Sequence, residues 1–313
     1  MTTAGGRTAP EKARQAVIAG AVCPLLWGST PILFMALGHA GADEWEIVGQ
    51  RAVWAAPWAA LLVLVMGEGR ELWRIVRQPR TVALLALSAA SVSSGWVVFV
   101  WAVNHGKNLE SSLGYYINPL MNMAAGGLLF RERIDRFGLI AIALAVAGVA
   151  LQTWALGHPP VVALILATTF WIYGLIRRQV DAEALAGLCV ECMLIAIPGI
   201  TFIIWLRQHG GGIFGHALTP SLLLMLCGPV TVFPLALFSW TARRLPFSTI
   251  GFLQFLSPTV SFVIGLAVGE RLTPLAAVSF LFIWAGAIVF AYGAWRASRQ
   301  IRVAPIQGLK SNA

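Results

Sequence analysis

Charged residues are scarce in this sequence. Only 11% of its 313 residues are Asp, Glu, Lys or Arg, whereas 58% are apolar and the mean hydropathy is +0.77. A soluble domain has roughly a quarter of its residues charged, so this chain has too few of them to cover a surface in contact with water. The composition predicts a membrane protein and leaves no stretch for a soluble catalytic or nucleotide-binding domain.

Cysteine and histidine, which build disulfides, metal sites and many active sites, are also few. Cys23, Cys189, Cys192 and Cys227 lie inside apolar runs, without metal-ligand spacing to a histidine, and we expect them to be small packing residues. The motifs H-E-x-x-H, G-x-S-x-G and G-x-x-x-x-G-K-[ST] do not occur in the sequence. We therefore expect no catalytic residue, no metal, no cofactor and no enzyme or ATP-driven pump.

Apolar residues occur in long runs, and each is about the length that a helix needs to cross a bilayer. Because a spanning segment must satisfy its backbone polar groups internally, and because the runs lack the alternating pattern of a β-barrel, each run is predicted to be a helix. The sequence thus predicts an all-α polytopic protein with ten transmembrane helices. The runs are at residues 16–37, 46–66, 81–103, 110–130, 136–156, 159–176, 185–206, 219–241, 247–268 and 274–295.

The basic residues predict the orientation of the chain. Of the 22 Lys and Arg residues, 18 fall in one alternating set of segments, three fall in the other set, and Arg51 lies within a span. Cytoplasmic loops of membrane proteins are enriched in Lys and Arg, so both termini are predicted to be cytoplasmic. The net charge of +9 is dispersed over short loops, and we therefore expect no nucleic-acid partner.

The sequence contains an internal repeat, clearest between the fourth and fifth spans and the ninth and tenth. Arg51 in the second span corresponds to Glu191 in the seventh, at an offset of 140 residues. The other repeated pairs, at offsets of 138–139 residues, are Pro119 with Pro258, Glu132-Arg133 with Glu270-Arg271, and Gly148 with Gly286. Since five is odd, the second copy of five helices enters the membrane from the opposite face. Inverted repeats of this kind are typical of alternating-access transporters, whose substrate site lies between the halves.

The repeat divides the chain into four parts. Residues 1–15 are predicted to be a cytoplasmic tail, 16–156 the first repeat, 157–295 the second repeat, and 296–313 a second cytoplasmic tail.

Several segments carry a family resemblance. They are GWVVFVWAVN (95–104), LESSLGYYINP (109–119), YGLIRR (173–178), STIGFLQFLSP (248–258) and GER (269–271). Over residues 15–295 the chain resembles the RarD-type, chloramphenicol-sensitive group of the EamA family, within the drug/metabolite transporter (DMT) superfamily. The resemblance implies a basket-like ten-helix fold with the fifth and tenth helices peripheral, and carriage of small organic metabolites or drugs across the inner membrane. Gln50 stands where relatives more often have histidine, which argues against carrying over a proton role from that histidine.

Arg51 is a candidate substrate-binding residue. It lies about six residues into the second span, roughly 9 Å from the outer face, where an unpaired cation costs about 2.5–3.5 kcal/mol or more. Its guanidinium could bind an anionic substrate group. It could equally reach the outer interface or hydrogen-bond to neighbouring carbonyls.

Glu191 is the acidic residue placed well inside a span. A carboxylate without a partner in lipid could bind and release a proton during transport. Alternatively it makes a static hydrogen bond to a neighbouring helix, or an ion pair with Arg51. The depths of the two residues argue against a direct pair, since about 10 Å of bilayer should separate them.

The fourth and ninth spans carry candidate binding and hinge residues. Proline in mid-helix frees a carbonyl four residues earlier, and with nearby amides this makes a polar patch suited to a cavity wall. Glycines one to two turns earlier would ease bending. Kinking and interhelical packing alone would also explain these residues. The polar candidates are Asn118, Asn122, Gln254 and Ser257, and the hinge candidates are Pro119, Pro258, Gly114 and Gly251.

Aromatic residues in the middle of spans could line a pocket for flat or cationic substrates, or could simply pack between helices. The candidates are Trp27, Trp96, Tyr115, Tyr116, Trp171 and Tyr173. The pattern as a whole predicts a secondary carrier, proton-linked or exchanging, with a small-molecule substrate, the lipid bilayer and protons as partners. A pore or a non-transporting membrane sensor is the alternative. The sequence does not indicate an oligomeric state.

Overall fold

A computed structural model describes residues 9–104, 108–132, 134–156, 158–267 and 274–303, and this part of the chain is helical without any strand. It contains twelve helices. They are α1 (Ala9–His39), α2 (Glu44–Met66), α3 (Gly69–Val76), α4 (Pro79–Asn104), α5 (Asn108–Leu128), α6 (Arg136–Leu156), α7 (Val161–Gln179), α8 (Ala184–Gln208), α9 (Leu218–Ala242), α10 (Phe247–Gln254), α11 (Leu256–Ala267) and α12 (Pro274–Val303).

The all-α polytopic membrane fold predicted from the sequence is confirmed. Within the described ranges, six helices are long and apolar enough to cross a bilayer, namely α1, α2, α4, α7, α8 and α9. Shorter apolar helical segments lie at Arg136–Leu151 in α6 and Ala277–Phe290 in α12. Each of the ten predicted runs falls on helix, the ninth being divided into α10 and α11. The count of ten crossings stays a prediction.

Local signals explain where the helices begin and end. At the start of α2, the Asp43 side chain accepts a hydrogen bond from the backbone N–H of Trp45 (2.8 Å), as an N-cap does. The same helix ends at Gly67, which has φ of +71°, a conformation that glycine adopts without strain. The short α3 follows at once and was not among the predicted runs, because its sequence mixes charged and apolar residues.

The helices pack in a pattern that relates the two halves of the chain. α1 packs on α9 much as α7 packs on α4, and α1 packs on α10 and α11 as α7 packs on α5. α2 packs extensively on α8, and α6 on α12. The largest apolar cluster lies among α1, α2, α4, α7, α8 and α9, with Phe238 and Tyr173 buried within it.

The bundle has two ends. The basic end, as we call it, is where α3 lies, where α7 and α9 end and where α8 begins; the opposite end is where α1 and α8 end and where α2 and α9 begin. Arg133, Glu270, Arg271 and residues 1–8 and 304–313 of the predicted tails lie outside the described residues.

Candidate functional site

A cavity of about 300 Å³ lies between α2, α4, α8 and α9, with one side chain contributed by α7. The cavity is partly open. It extends from the first turn of α2, near the opposite end of the bundle, to Tyr173 and Leu188, which lie nearer the basic end. Most of its wall is apolar, as in typical small-molecule sites. The polar side chains that line it are Arg51, Ser93, Tyr173, Glu191 and Thr231.

Arg51 lies in the wall of this cavity and is only 7% exposed. Its Nε donates a hydrogen bond to Thr231 Oγ1 (2.5 Å), while the Thr231 hydroxyl donates to the Cys227 carbonyl (2.6 Å). The guanidinium carbon lies 3.2 Å from the centre of the Trp96 ring, a cation–π contact worth about 2 kcal/mol when water is excluded. Nη1 is buried and has no hydrogen-bond partner. Thr231 therefore holds one edge of the guanidinium and Trp96 covers one face, while Nη1 is a donor without an acceptor.

Glu191 lines the same cavity and is 2% exposed. Its nearest cation is Arg177, whose Nη1 lies 3.9 Å from Glu191 Oε1. No hydrogen bond joins Arg177 Nη1 to the Glu191 carboxylate, and the buried hydroxyl of Ser88 on α4 is a further polar neighbour of that carboxylate. The two charges attract each other without a hydrogen bond, and Arg177 rather than Arg51 is the ion-pair partner of Glu191.

The structure places Arg177 inside the bundle, beyond the predicted end of the sixth apolar run. The sixth apolar run was ended at residue 176, but α7 continues to Gln179 and carries Arg177 into the interior, where it is fully buried. The cause is helical spacing, because Arg177 lies four residues after Tyr173 and therefore on the same inward face. Both side chains reach Ser239 on α9, which accepts from Arg177 Nε (3.1 Å) and lies 3.1 Å from the Tyr173 hydroxyl.

Two further features hold Arg177 in place. Its Nη2 donates to the backbone carbonyl of Ala184 at the start of α8 (2.7 Å). At Gly187 an added Cβ would collide with the Arg177 guanidinium, so the missing side chain provides the space that the guanidinium occupies. Sequence reasoning could have found Arg177 from its spacing to Tyr173.

Two of the six predicted aromatic residues line the cavity, and the other four lie elsewhere. Trp96 and Tyr173 line the cavity, whereas Trp27 packs against Phe170 (5.1 Å between ring centres) and, like Trp171, belongs to the margin of the largest apolar cluster. Tyr116 is buried in a separate cluster that includes residues of α6 and α12. Tyr115 is 42% exposed, with its ring against Phe99.

Three of the polar candidates form a buried chain of hydrogen bonds away from the cavity lining. Asn118 donates to the Ala167 carbonyl of α7 (3.0 Å) and accepts from Asn122 (3.2 Å), and the Asn122 amide lies 2.5 Å from Gln254 Oε1. The chain joins α5 to α7 and α10. Ser257, in the first turn of α11, is half-buried and its carbonyl lies against Gly28 of α1.

The two predicted proline kinks differ. The ninth span is interrupted at Phe255, three residues before Pro258, whereas α5 runs without interruption from Asn108 to Leu128 across position 119. Gly114 is buried, and a Cβ there would lie 2.9 Å from the Ala163 carbonyl of α7, so it permits close packing of the two helices. Gly251 is buried within α10.

The basic end of the bundle carries ion pairs centred on Arg74 of α3. Arg74 donates to Glu71 (2.6 Å) and to Asp181 (2.9 Å), and Glu71 also accepts from the backbone N–H of Glu183 (3.2 Å). The hydrogen bonds from Arg74 lower the pKa of the carboxyl groups of Glu71 and Asp181 below their ordinary values. α3 is thereby attached to the turn between α7 and α8.

Other cations at the basic end make similar contacts. Arg243, after α9, bonds to the carbonyl of Ala182 and lies 3.6 Å from the carboxylate of Glu183. Arg178 is 3.1 Å from Glu132. The segment that follows α5 is thus joined to the last turn of α7, and the segment that follows α9 is joined to the turn between α7 and α8.

The opposite end is organised differently. Glu46, in the first turn of α2 and 1% exposed, accepts hydrogen bonds from the backbone N–H groups of Ile213 (2.9 Å) and Phe214 (3.0 Å). These contacts attach the loop between α8 and α9 to α2. Sequence reasoning did not detect this role of Glu46, because its partners are backbone groups about 167 residues away.

Comparison with known proteins places the chain in a family. Residues 14–154 match the EamA-like transporter family. An uncharacterized transporter of Pseudomonas aeruginosa is 40% identical over 92% of this chain and 97% of its own length. Protein RarD of Salmonella typhimurium is 36% identical, and protein RarD of Escherichia coli 33% identical, each over 90% of this chain and 95% of the relative.

A solved crystal structure shares the fold, with a TM-score of 0.70 and 16% sequence identity over 88% of this chain and 96% of the other. The RarD relatives and the apolar helices together establish a multi-pass membrane transporter. The chain belongs to the EamA-like transporter family, as a RarD-type member of the drug/metabolite transporter superfamily.

Proposed function

We propose that this protein is a secondary carrier that moves a small organic metabolite or drug by alternating access, and that the cavity between α2, α4, α8 and α9 is its substrate site. The observation that carries the proposal is that Arg51 and Glu191 line one cavity. Each lies seven residues after the first residue of its helix, about 10 Å along the axis, and α2 and α8 pack on each other. Charged side chains inside a membrane bundle typically mark a transport pathway.

An inverted repeat supports the alternating mechanism. The related packing of α1 on α9 and of α7 on α4 fits two copies of five helices, divided as 16–156 and 157–295. The family match at residues 14–154 covers nearly the same range as the proposed first copy. In carriers built this way, the two copies move relative to each other around a central site.

The ends of the bundle suggest the state of the transport cycle. Ion pairs of Arg74 join α3 to the turn between α7 and α8 at the basic end, and the cavity extends toward the opposite end. With the basic loops in the cytoplasm and both termini there, as the distribution of Lys and Arg favours, this is an outward-facing form in the inner membrane.

A two-step experiment tests the carrier proposal. The purified protein is screened by thermal shift against metabolites and antibiotics, and each stabilising compound is then followed in proteoliposomes. A carrier is expected to show saturable flux and counterflow. Flux without saturation or counterflow would indicate a pore, and binding without flux would indicate a sensor; the relatives named as transporters favour the carrier.

Coupling to protons, rather than exchange of substrates, is supported by the Glu191 carboxylate, which is buried in the bundle and makes no direct hydrogen bond to Arg177, the cation that it faces. A proton on Glu191 would remove its attraction to Arg177 and change the contact between α7 and α8. Glu191→Gln is expected to transport without responding to an imposed pH gradient. A variant that keeps the gradient dependence of the native protein would exclude Glu191 as the proton site and leave exchange as the mechanism.

A further inference from the structure

We propose that the substrate is a small organic monoanion, a carboxylate with an apolar body, and that Arg51 with Thr231 and Trp96 forms the subsite for its carboxylate. This inference rests on the carrier proposal and specifies the chemical class of its substrate. It comes from the charge balance of the cavity, from the orientation of one guanidinium and from the apolar character of the remaining wall.

The charges that line or adjoin the cavity do not cancel. Glu191 faces Arg177 at 3.9 Å, so one negative and one positive charge offset each other there. Arg51 forms no ion pair with any carboxylate in the described part of the chain. One positive charge therefore remains uncompensated, at a depth where an isolated cation is costly. A bound monoanion would supply the missing charge.

The contacts of Arg51 leave one nitrogen of its guanidinium without a hydrogen-bond partner. Thr231 accepts from Nε and its own hydroxyl hydrogen is directed to Cys227, so this hydroxyl holds the guanidinium without neutralising it. Trp96 covers one face of the guanidinium. Nη1 remains buried with its hydrogens unsatisfied, in a side chain that lines the cavity. A carboxylate that met this terminal edge would satisfy the donor through a charge-assisted hydrogen bond.

The rest of the cavity favours a carboxylate with an apolar body over a phosphate. A dianionic phosphate needs more than one cation to compensate its charge in a site without water, and Arg51 is the one unpaired cation among the described residues of the lining. Val92, Val97 and Ile195 present apolar surface to the remaining volume. A volume of about 300 Å³ lies at the small end of the range for ligand sites, so the body has to be compact.

Thermal shift on the purified full-length protein tests the inference with matched probes. Acetate, phenylacetate and 4-phenylbutyrate are each compared with the corresponding amide, which has nearly the same shape and no charge, at constant ionic strength. We expect phenylacetate or 4-phenylbutyrate to raise the unfolding temperature and its amide not to do so. In Arg51→Gln the apparent affinity for the carboxylate should fall by at least about tenfold.

Two controls separate the subsite from other causes. Arg207→Gln, at an exposed arginine near the opposite end, should keep the native preference for carboxylates. Phosphatidylglycerol is added in a separate arm. If that lipid raises the unfolding temperature through Arg51 and abolishes the carboxylate shift, the subsite binds a lipid phosphate and the inference is wrong.

The remaining outcomes also decide the matter. Equal shifts for carboxylates and amides, no shift for any carboxylate, or a preference that persists in Arg51→Gln would each overturn the inference. Saturable counterflow of a neutral or cationic compound would overturn it while leaving the carrier proposal intact. Carboxylate binding through Arg51 without flux in proteoliposomes would support the subsite and contradict the carrier proposal.

Discussion

Arg177 and Glu191 form a buried ion pair without a direct hydrogen bond between them, although Arg177 also donates to Ser239 and to the Ala184 carbonyl. Arg177 is fully buried and Glu191 is 2% exposed, yet the closest nitrogen and oxygen are 3.9 Å apart. Removal of two charges from water costs several kcal/mol each, and a long contact recovers only part of this. The pair is therefore better suited to a change of state than to stabilising a static bundle.

Arg177→Met is expected to lower the stability of the protein by about 3–5 kcal/mol, because it leaves Glu191 as an unpaired buried carboxylate. The double variant Arg177→Met/Glu191→Leu should recover most of this loss, since replacing a buried pair by apolar side chains is often close to neutral. Thermal unfolding in detergent measures both. A double variant that is no more stable than Arg177→Met would show that the unpaired carboxylate of Glu191 is not the cause of the loss.

At the residue scale, the sequence indicated which side chains are unusual better than it indicated their partners. Arg51 and Glu191 were recognised because each interrupts an apolar run, and both line the cavity. Arg177 was missed because it lies beside Arg178 at the end of a run, where basic residues commonly mark a loop. Only the continuation of α7 and the inward spacing from Tyr173 distinguish it.

At the scale of helices, close contacts depend on positions without a side chain. At Gly28 of α1 an added Cβ would lie 2.6 Å from the carbonyl oxygen of Ser257 and 2.7 Å from Val260 Cβ. α1 and α11 therefore approach closely at the point where the ninth span is divided. Small residues commonly permit such contacts between membrane helices.

Gly28→Ala is expected to destabilise the protein by about 1–3 kcal/mol, because the contact with α11 has to open. Gly38→Ala, in the same helix but with no atom within 4 Å of the added Cβ, is the matched control and should be neutral or slightly stabilising. The unfolding temperatures of the two purified variants make the comparison. Equal effects would mean that helix propensity, and not the contact with α11, controls both positions.

Helix positions were largely predictable, while their interruptions were not. All ten apolar runs fall on helix, because hydropathy and the need to satisfy backbone groups act locally along the chain. The similar prolines Pro119 and Pro258 predicted similar kinks, yet only the ninth span is interrupted. Whether a helix continues past a proline depends on its packing partners, and α5 and α11 have different ones.

The attachment of α3 should depend on pH only in acid. The hydrogen bonds from Arg74 lower the pKa of Glu71 and Asp181. The contribution of these two carboxylates to the attachment of α3 is therefore complete above the ordinary carboxyl pKa of about 4, and it is lost as the pH falls through the lowered pKa values. The distance between spin labels on Arg70→Cys and Gln179→Cys should therefore be constant from pH 8 to 5 and increase below pH 4.

Arg74→Gln provides the control for this measurement. It removes the donor that both carboxylates share, so the distance should be longer at every pH and should respond less to acid, the remaining response coming from the bond between Glu71 and the Glu183 backbone N–H. A change between pH 7 and 5 in the native background would show that a group other than these carboxylates controls α3.

At the scale of the whole molecule, the predicted orientation and the inverted repeat together predict on which side of the membrane each loop lies. Segments one repeat apart should lie on opposite sides of the membrane. Arg77, after α3, and His216, before α9, are 139 residues apart, within the range of offsets seen in the repeat. Both are exposed, at the basic end and at the opposite end of the bundle.

In intact cells, a membrane-impermeant maleimide is expected to label His216→Cys and not Arg77→Cys, and in inside-out vesicles the reactivity should be reversed. The four native cysteines are buried and free, so they should contribute little background. Arg70→Cys and Arg244→Cys, both at the basic end, should behave like Arg77→Cys. Labelling of positions 77 and 216 from the same side would contradict the inverted repeat. If Arg77→Cys were labelled in intact cells and His216→Cys were not, the inverted repeat would stand but the orientation would be reversed. The cavity would then face the cytoplasm.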